Sequence, residues 1–403
     1  MGTNIKRGIG IDVFTATQER VKYCLDNFDK MYVAFSGGKD SSVLLHITMM
    51  EAIKRNKKIG VLLIDLEAQY YETIAHCERM FSEYKDLIDL HWVCAKLKLR
   101  NAVSSFEPTW YCWDETKKDL WVREMPDKCK QGEDYPFFVS GMEFEEFVSE
   151  WGIWYAENNS CCGLIGIRAD ESLNRFRTVC GYSKNTFNGK LWTTQLFNKL
   201  YLCYPIYDWK TRDIWIFNRI YSDKSYNHIY DLMNKAGVPI SKQRLCQPFG
   251  DDQKQGLWLY HILEPNTWIK LLKRVSGVNS GALYIQEHGS INGQYKIDKP
   301  DSYSWETFLD LLMATIPPES FKHYAPILKR YIAKWKGMGY DDGIPDECPS
   351  ILESLAIVPS YRMICKSILR NDWWCRGIGL TQPRSEVYGE YLAIRGPRKR
   401  KAK

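Results

Sequence analysis

The sequence lacks long apolar runs. No stretch of its 403 residues reaches the roughly 20 consecutive apolar residues that span a bilayer. The opening residues, MGTNIKRGIGIDVF, lack the apolar centre of a signal peptide. We therefore expect a cytoplasmic protein with no membrane contact.

Net charge is also low for this length. The formal charge is +6, and Arg395–Lys403 alone contains 6 of the lysines and arginines, so the rest of the chain is close to neutral. A short basic tail can bind nucleic acid or an acidic partner. The alternative is an ordinary solvated terminus.

A C-x-x-C pair is missing, although the chain contains 13 cysteines. An odd number of scattered cysteines does not indicate a disulfide framework. We expect most of them to be reduced thiols, several of them inside the core.

Length and composition predict a folded protein of two domains or one large domain with an appendage. The sequence is 45% hydrophobic and 14% aromatic, which excludes disorder as its main state. We predict an α/β domain at residues 1–235, with an insertion at about 100–150, and a mostly helical domain at 236–403.

The stretch Met31–Ser42, MYVAFSGGKDSS, predicts a buried strand, a glycine turn and the start of a helix. Two adjacent glycines leave the backbone amides unobstructed, and the positive end of the helix points at the same place. The turn therefore suits phosphate or sulfate, with Lys39 as a mobile cation. Its spacing differs from that of a GxxxxGK[ST] loop, and an ordinary turn is the alternative.

Four further apolar runs predict the other strands of a doubly wound sheet. They are Ile59–Leu66, Leu90–Cys94, Cys161–Ile167 and Leu200–Ile206. Ligands of such sheets bind outside the carboxyl ends of the strands, so we expect Asp65 and Glu67 near the glycine turn. A carboxylate there can reach a polyphosphate through Mg²⁺ or bind a ribose hydroxyl. Helix capping and packing are the alternative for Glu67.

The predicted insertion is rich in aromatic residues. Trp110, Tyr111, Trp113 and Trp121 lie close together in the sequence. Such density indicates either a hydrophobic cluster or a platform for stacking a base. We expect the cluster.

The segment after the fourth predicted strand, GIRADESLNRFR from Gly166, carries several charges. Arg168, Arg175 and Arg177 offer forked donors to phosphate or sulfate oxygens. Glu171 can hold one of these arginines in place. The alternative is a charged, solvated helix face.

Three segments, SGGKDS, GIRADES with a following arginine, and YPIYDWKTRDIW, resemble motifs of the phosphoadenylyl-sulfate (PAPS) reductase-like branch of the adenine nucleotide α-hydrolase (PP-loop) superfamily. The resemblance implies an α/β fold with a parallel five-stranded doubly wound sheet. It also implies binding of ATP or PAPS with Mg²⁺, and a ParB/sulfiredoxin-like partner protein. The implied nucleotide-binding residues are Ser36, Gly37, Gly38, Lys39, Asp40, Ser41, Ser42, Asp65, Glu67, Gly166, Arg168, Glu171 and Arg177. The implied catalytic residues are Lys39, Asp40, Arg168 and Arg175, and the implied metal ligands are Asp40 and Asp65.

The chain departs from the sulfate-reducing members of this branch. Thioredoxin-linked reductases resemble one another in an E-C-G-x-H segment, whereas Asn371–Gly377 reads NDWWCRG, without histidine. The Cys161-Cys162 pair falls in a predicted strand, with no C-x-x-C to complete an iron–sulfur site. Cys375 beside Arg376 can have a lowered pKa, but we expect an inert thiol among tryptophans.

Three functions fit these observations. The first is an ATP-dependent enzyme that cleaves the α–β phosphate bond and adenylylates an acceptor. The second is a PAPS reductase or sulfotransfer enzyme. The third is a nucleotide-sensing regulator of a DNA-binding partner, with the basic tail as its contact to nucleic acid.

Overall fold

The computed structural model describes residues 10–181, 184–221, 223–251, 256–278 and 297–381. The basic tail lies outside these ranges, so its binding role stays a prediction. Among the described residues, every helix is too short or too polar to cross a bilayer.

Nine strands form two sheets in the described part of the chain. They are β1 (Lys30–Ala34), β2 (Ile59–Ile64), β3 (Ile88–Cys94), β4 (Lys98–Arg100), β5 (Thr109–Tyr111), β6 (Lys130–Gln131), β7 (Cys161–Ile165), β8 (Thr193–Phe197) and β9 (Leu200–Cys203). The main sheet has the order β6-β3-β2-β1-β7-β9-β8. All of its neighbouring strands are parallel except β8 and β9. β4 and β5 form a separate antiparallel pair.

The predicted α/β fold is confirmed, and the five inner strands are the five that the apolar runs predict. The predicted count of five is too low, because β6 and β8 extend the sheet at its two edges. Both edge strands are short or half-buried and lack a continuous apolar run. Edge strands bury less surface than central ones, so their sequences carry a weaker signal.

Helices flank the sheet, and the described residues after β9 contain helices but no strand. They are α1 (Val13–Asn27), α2 (Lys39–Ile53), α3 (Tyr71–Glu83), α4 (Phe144–Ala156), α5 (Leu173–Cys180), α6 (Thr211–Ile220), α7 (Ile229–Lys235), α8 (Trp258–Leu263), α9 (Pro265–Arg274), α10 (Trp305–Thr315), α11 (Pro318–Lys336), α12 (Ser350–Ser354) and α13 (Tyr361–Leu369). Short 3₁₀ turns lie at Glu115–Leu120, Gly132–Asp134, Ile240–Lys242 and Arg376–Ile378. α2 begins directly after the glycine turn, as predicted.

Two hydrophobic cores form within the described residues. The larger surrounds the main sheet and includes Tyr260 and Leu271 of α8 and α9. The smaller joins α10, α11 and α13. The larger core thus continues past residue 236, and the domain boundary predicted there stays a prediction.

The tryptophans of the insertion, Trp110, Trp113 and Trp121, pack into or against the larger core, whereas Tyr111 is exposed. Trp110 and Trp113 are buried, and the indole of Trp113 donates a hydrogen bond to the Asp65 carbonyl at 2.7 Å. Buried indoles are not accessible to a stacking base. This packing supports the predicted hydrophobic cluster.

Strand β1 is the topological switch point of the sheet. Val33 pairs with Val61 of β2 on one side and with Leu164 of β7 on the other. The connections that leave β1 and β7 therefore flank one crevice, which is where ligands of doubly wound sheets bind.

Candidate active site

The glycine turn between β1 and α2 is held by its own serines. Gly37 has a φ of +68°, a backbone conformation that favours glycine. The hydroxyls of Ser41 and Ser42 donate to the Gly38 carbonyl at 3.0 and 2.9 Å, and Ser36 Oγ accepts a hydrogen bond from the Gly38 amide at 3.4 Å. The strand, turn and helix have the predicted arrangement, in which the amino end of α2 faces the crevice.

Lys39, the first residue of α2, is buried and its ammonium group has close polar neighbours. Its Nζ donates to the Gln243 carbonyl at 3.3 Å and lies 3.4 Å from an Asp40 carboxylate oxygen. It also lies 5.2 Å from the centre of the Tyr230 ring. The positive amino end of a helix favours an anion, and the Lys39 ammonium lies there with part of its charge balanced by Asp40.

Arg168 brings a second buried cation to the same place. It follows β7 and is 2% exposed. Its Nε donates to Asp40 at 2.5 Å and its Nη1 donates to Asp170 at 2.7 Å, so the two carboxylates fix the guanidinium plane. Gly166 lets the segment after β7 lie close to the first turn of α2, since a Cβ on Gly166 would come 3.2 Å from the Ser41 amide nitrogen. The structure thus brings together the predicted residues of the turn, Gly166 and Arg168.

The other predicted residues of this segment lie on and before α5. Arg175 forms an ion pair with Glu171 at 2.7 Å, and Arg177 is exposed. Ser172 caps α5 by accepting a hydrogen bond from the Arg175 amide at 3.3 Å. The predicted catalytic role of Arg175 and binding role of Arg177 stay predictions.

A segment that the motifs do not predict covers the turn. We call residues 227–243 the strap. The amide of Asn227 donates to the Gly37 carbonyl at 2.9 Å, and the hydroxyl of Tyr230 accepts a hydrogen bond from the Lys39 amide at 3.1 Å. Burial raises the pKa of Tyr230 above its ordinary value, so the phenol stays protonated. In the sequence, nothing links these residues to a turn that precedes them by about 190 positions.

The carboxylates of Asp65 and Glu67 are bound by side chains of the protein. Asp65 is completely buried, accepts a hydrogen bond from the Trp92 indole at 2.8 Å and forms a short ion pair with Arg123. Glu67 is held by two hydrogen bonds from Arg274, at 2.6 and 2.9 Å. Both carboxylates bind arginines inside the protein, which agrees with the packing alternative for Glu67, and their expected ribose or Mg²⁺ role stays a prediction.

The two predicted ligands of Mg²⁺, Asp40 and Asp65, are also paired with cations of the protein. Of the two predicted ligands, Asp40 faces Arg168 and Lys39, and Asp65 faces Arg123. A carboxylate already neutralised by cations is a poor ligand for a hard divalent ion. These residues therefore do not fit a protein-held Mg²⁺ site, and no catalytic step below depends on one.

The thiols of the described residues do not favour redox chemistry at this site. Cys77 lies closest to the turn, since a Cβ on Gly37 would come 2.8 Å from its sulfur, but burial raises its pKa. Cys375 is buried in the smaller core, and burial raises its pKa to about 12. A thiol with a raised pKa stays mostly protonated at neutral pH, and the expected inertness of Cys375 stays a prediction.

The phosphoadenosine phosphosulfate reductase domain matches residues 30–235 of the chain. This protein belongs to that family. The match includes the turn, Arg168 and Tyr230, and it makes the chain a PP-loop protein of a nucleotide-binding enzyme family. A domain of unknown function, DUF3440, matches residues 237–347.

Similar proteins extend over different shares of the chain. The uncharacterized protein YbdN of Escherichia coli (strain K12) is 37% identical over 385 residues, which cover 94% of this chain and 93% of that protein. The PAPS reductase from Candida auris is 14% identical, covering 54% of this chain and 84% of its own, with a TM-score of 0.32. The FMN adenylyltransferase of Candida glabrata is 15% identical, covering 54% and 58%, with a TM-score of 0.33.

Proposed function

We propose that this protein binds ATP at the glycine turn and transfers its adenylyl group to an acceptor, releasing pyrophosphate. The observation that carries the proposal is the convergence of Lys39 and Arg168, two buried cations, on the amino end of α2. No thiol there has a lowered pKa among the described residues, which favours phosphoryl chemistry over reduction.

In the proposed reaction, an acceptor oxygen attacks the α-phosphorus of ATP. The bond from this phosphorus to the bridging oxygen breaks, and the electron pair leaves with pyrophosphate. The amides of the turn bind the leaving phosphates, while Lys39 and Arg168 stabilise their growing negative charge. Asp40 and Asp170 orient Arg168, and this preorganisation lowers the cost of reaching the transition state.

Tyr230 controls access to the turn in this proposal. Its hydroxyl accepts a hydrogen bond from the Lys39 amide. In the complex with ATP, a phosphate oxygen would accept this hydrogen bond instead. Binding of ATP therefore requires the phenol to move from this amide. The strap opens or shifts when the nucleotide enters and then shields the reacting groups from water.

The test uses the full chain with ATP labelled at the α- or the γ-phosphorus. The expected products are labelled pyrophosphate from the γ-label and AMP, or an adenylylated acceptor, from the α-label. Arg168→Gln should lower the rate by roughly 100-fold or more, whereas the exposed Arg330→Gln should not change it. Release of inorganic phosphate in place of pyrophosphate would reject the proposal. Nucleotide binding without turnover would favour the sensing regulator, with or without a ParB/sulfiredoxin-like partner.

A second candidate, a PAPS-using reductase or sulfotransferase, is favoured by the family to which the chain belongs. The phosphosulfate group is an anion that the same turn could bind. Formation of sulfite or adenosine bisphosphate from PAPS would support this candidate. Product formation from ATP alone would exclude it as the main activity.

A further inference from the structure

Three cysteines meet inside the larger core, on the sheet and away from the glycine turn. They are Cys24 of α1, Cys162 of β7 and Cys203 of β9. Their sulfur atoms all lie within 4.8 Å of one another, and each residue has 0% exposed surface. Three separate elements thus contribute one thiol each to one point, which we call the three-thiol cluster.

The strand register explains the arrangement. Leu164 pairs with Cys203, and Cys162 lies two residues before Leu164 on the same face of the sheet. Helix α1 packs on this face and places Cys24 over the two strands. Cys161 is the preceding residue of β7, and its side chain lies on the opposite face.

The spacing is close to that of a three-coordinate metal site. A metal–sulfur bond of about 2.3 Å separates three sulfurs in a trigonal plane by roughly 4 Å. The cluster reaches this spacing if its sulfurs shift by less than about 1 Å, a movement that rotation of cysteine side chains allows.

We propose that the three-thiol cluster binds one Cu(I) ion. Soft sulfur ligands select soft ions such as Cu(I), zinc or iron–sulfur clusters. Structural zinc requires four ligands, and among the described residues no fourth histidine, cysteine or carboxylate joins the group. Cysteine binds a metal as the thiolate, so binding of the ion breaks the S–H bonds and releases their protons to solvent. The site is independent of the proposed adenylyl transfer.

Such an ion would connect α1 to two parallel strands. β7 leads directly to Gly166 and Arg168 at the crevice, so a metal bond at Cys162 would hold the strand that positions the Arg168 guanidinium. The expected effect of Cu(I) is a higher thermal midpoint of the full chain, because a ligand that binds only the folded state stabilises it.

The test compares Cys162→Ala with Cys161→Ala, both in the full chain with Cys246→Ser, which removes an exposed thiol. Cu(I) is added without oxygen in competition with a colorimetric Cu(I) chelator. We expect Cys161→Ala to bind one ion more than Cys162→Ala. Loss of a group that only supports a metal ligand lowers metal affinity by roughly 10- to 100-fold. Because Cys162 would be a direct ligand, the Cu(I) affinity of Cys162→Ala should be lower than that of Cys161→Ala by at least this factor.

A second measurement keeps the outcome clear if Cys162→Ala folds poorly. Cys203→Ser preserves the size of the side chain, and circular dichroism reports whether it is folded. Equal Cu(I) affinity and stoichiometry in folded Cys203→Ser and in Cys161→Ala would overturn the proposal. So would tighter binding of Zn²⁺ than of Cu(I) at the cluster, measured by metal analysis after competition.

Discussion

At the scale of single residues, Gly37 has the strictest steric requirement in the turn. Its φ is positive, and a Cβ there would lie 2.8 Å from the Cys77 sulfur and 2.9 Å from a Thr73 methyl group. Real Cβ atoms do not tolerate such contacts. The close packing of the turn on α3 is therefore possible only with glycine.

Gly37→Ala should lower the free energy of unfolding by roughly 2–5 kcal/mol, from left-handed backbone strain and overpacking. Gly189→Ala is the matched control, because Gly189 has a φ of +71° and nothing within 4 Å of a Cβ. It should cost only the strain, about 1–2 kcal/mol. Urea unfolding measures both values, and equal losses in the two variants would contradict the steric argument.

Tyr230 provides a second prediction at this scale. Tyr230→Phe keeps the ring near the Lys39 ammonium but removes the hydroxyl that accepts a hydrogen bond from the Lys39 amide. ATP affinity should rise by roughly 3- to 10-fold, the equivalent of one hydrogen bond of about 1 kcal/mol. Calorimetric titration measures it, with Tyr226→Phe as the control, whose hydroxyl donates to Asp231. A weaker affinity would show instead that the phenol contacts the nucleotide.

The residues that sequence reasoning placed correctly are those whose neighbours are local. The turn, Lys39 and Asp40 are adjacent in the chain, and Arg168 follows a recognisable strand. The contact of Glu67 with Arg274 cannot be predicted in this way, because the two residues lie 207 positions apart and no local pattern reports such a contact. Tyr230 was missed for the same reason.

At the scale of elements, the first turn of α2 depends on a buried histidine of α3. The Nε2 atom of His76 lies 2.8 Å from Ser42 Oγ, and burial lowers the pKa of His76 to about 3. The folded protein therefore keeps this ring neutral under conditions in which the unfolded chain, with an ordinary pKa near 6.5, binds a proton.

This difference predicts a loss of stability in acid. As the pH falls from about 6.5 towards 3, the unfolded state takes up a proton that folded His76 does not, which costs up to about 1.4 kcal/mol per pH unit. His76→Gln should remove this part of the slope. Burial also lowers the pKa of His46, His91 and His323, so a residual slope should remain. Urea unfolding across this pH range measures it, and an identical slope in parent and variant would refute the assignment.

The elements themselves show which part of a fold a sequence predicts well. β1, β2, β3, β7 and β9 are inner strands of the sheet, and each contains a run of mostly apolar residues. β6 and β8 lie at the edges of the sheet, and tertiary pairing rather than apolar patterning determines them. The sequence also does not show that the larger core continues past residue 236, because amphipathic helices such as α8 and α9 do not reveal which core they cover.

At the scale of the whole molecule, Arg100 joins the two hydrophobic cores. Its guanidinium donates to the Asn371 side chain at 3.0 Å and lies 4.5 Å from the Trp373 ring centre. Ser320 adds a hydrogen bond to the Ser105 carbonyl at 2.6 Å. The two cores are therefore linked by polar and cation–π contacts rather than by one shared apolar interior.

Arg100→Ala should weaken this junction, so that calorimetric unfolding changes from one transition to two, with a total loss of roughly 2–4 kcal/mol. The exposed Arg330→Ala should stay within about 0.5 kcal/mol of the parent chain. A single, unshifted transition in Arg100→Ala would show that other contacts couple the cores.

The pairing of Glu67 with Arg274 also restricts how this protein can have evolved. Glu67 lies in the segment matched at 30–235, whereas Arg274 lies in the segment matched at 237–347. A gene that acquired the first segment without the second would encode a buried Glu67 carboxylate without its counterion. The loss of the counterion would lower the free energy of unfolding by several kcal/mol. Recombination would therefore have to transmit the two segments as one heritable unit.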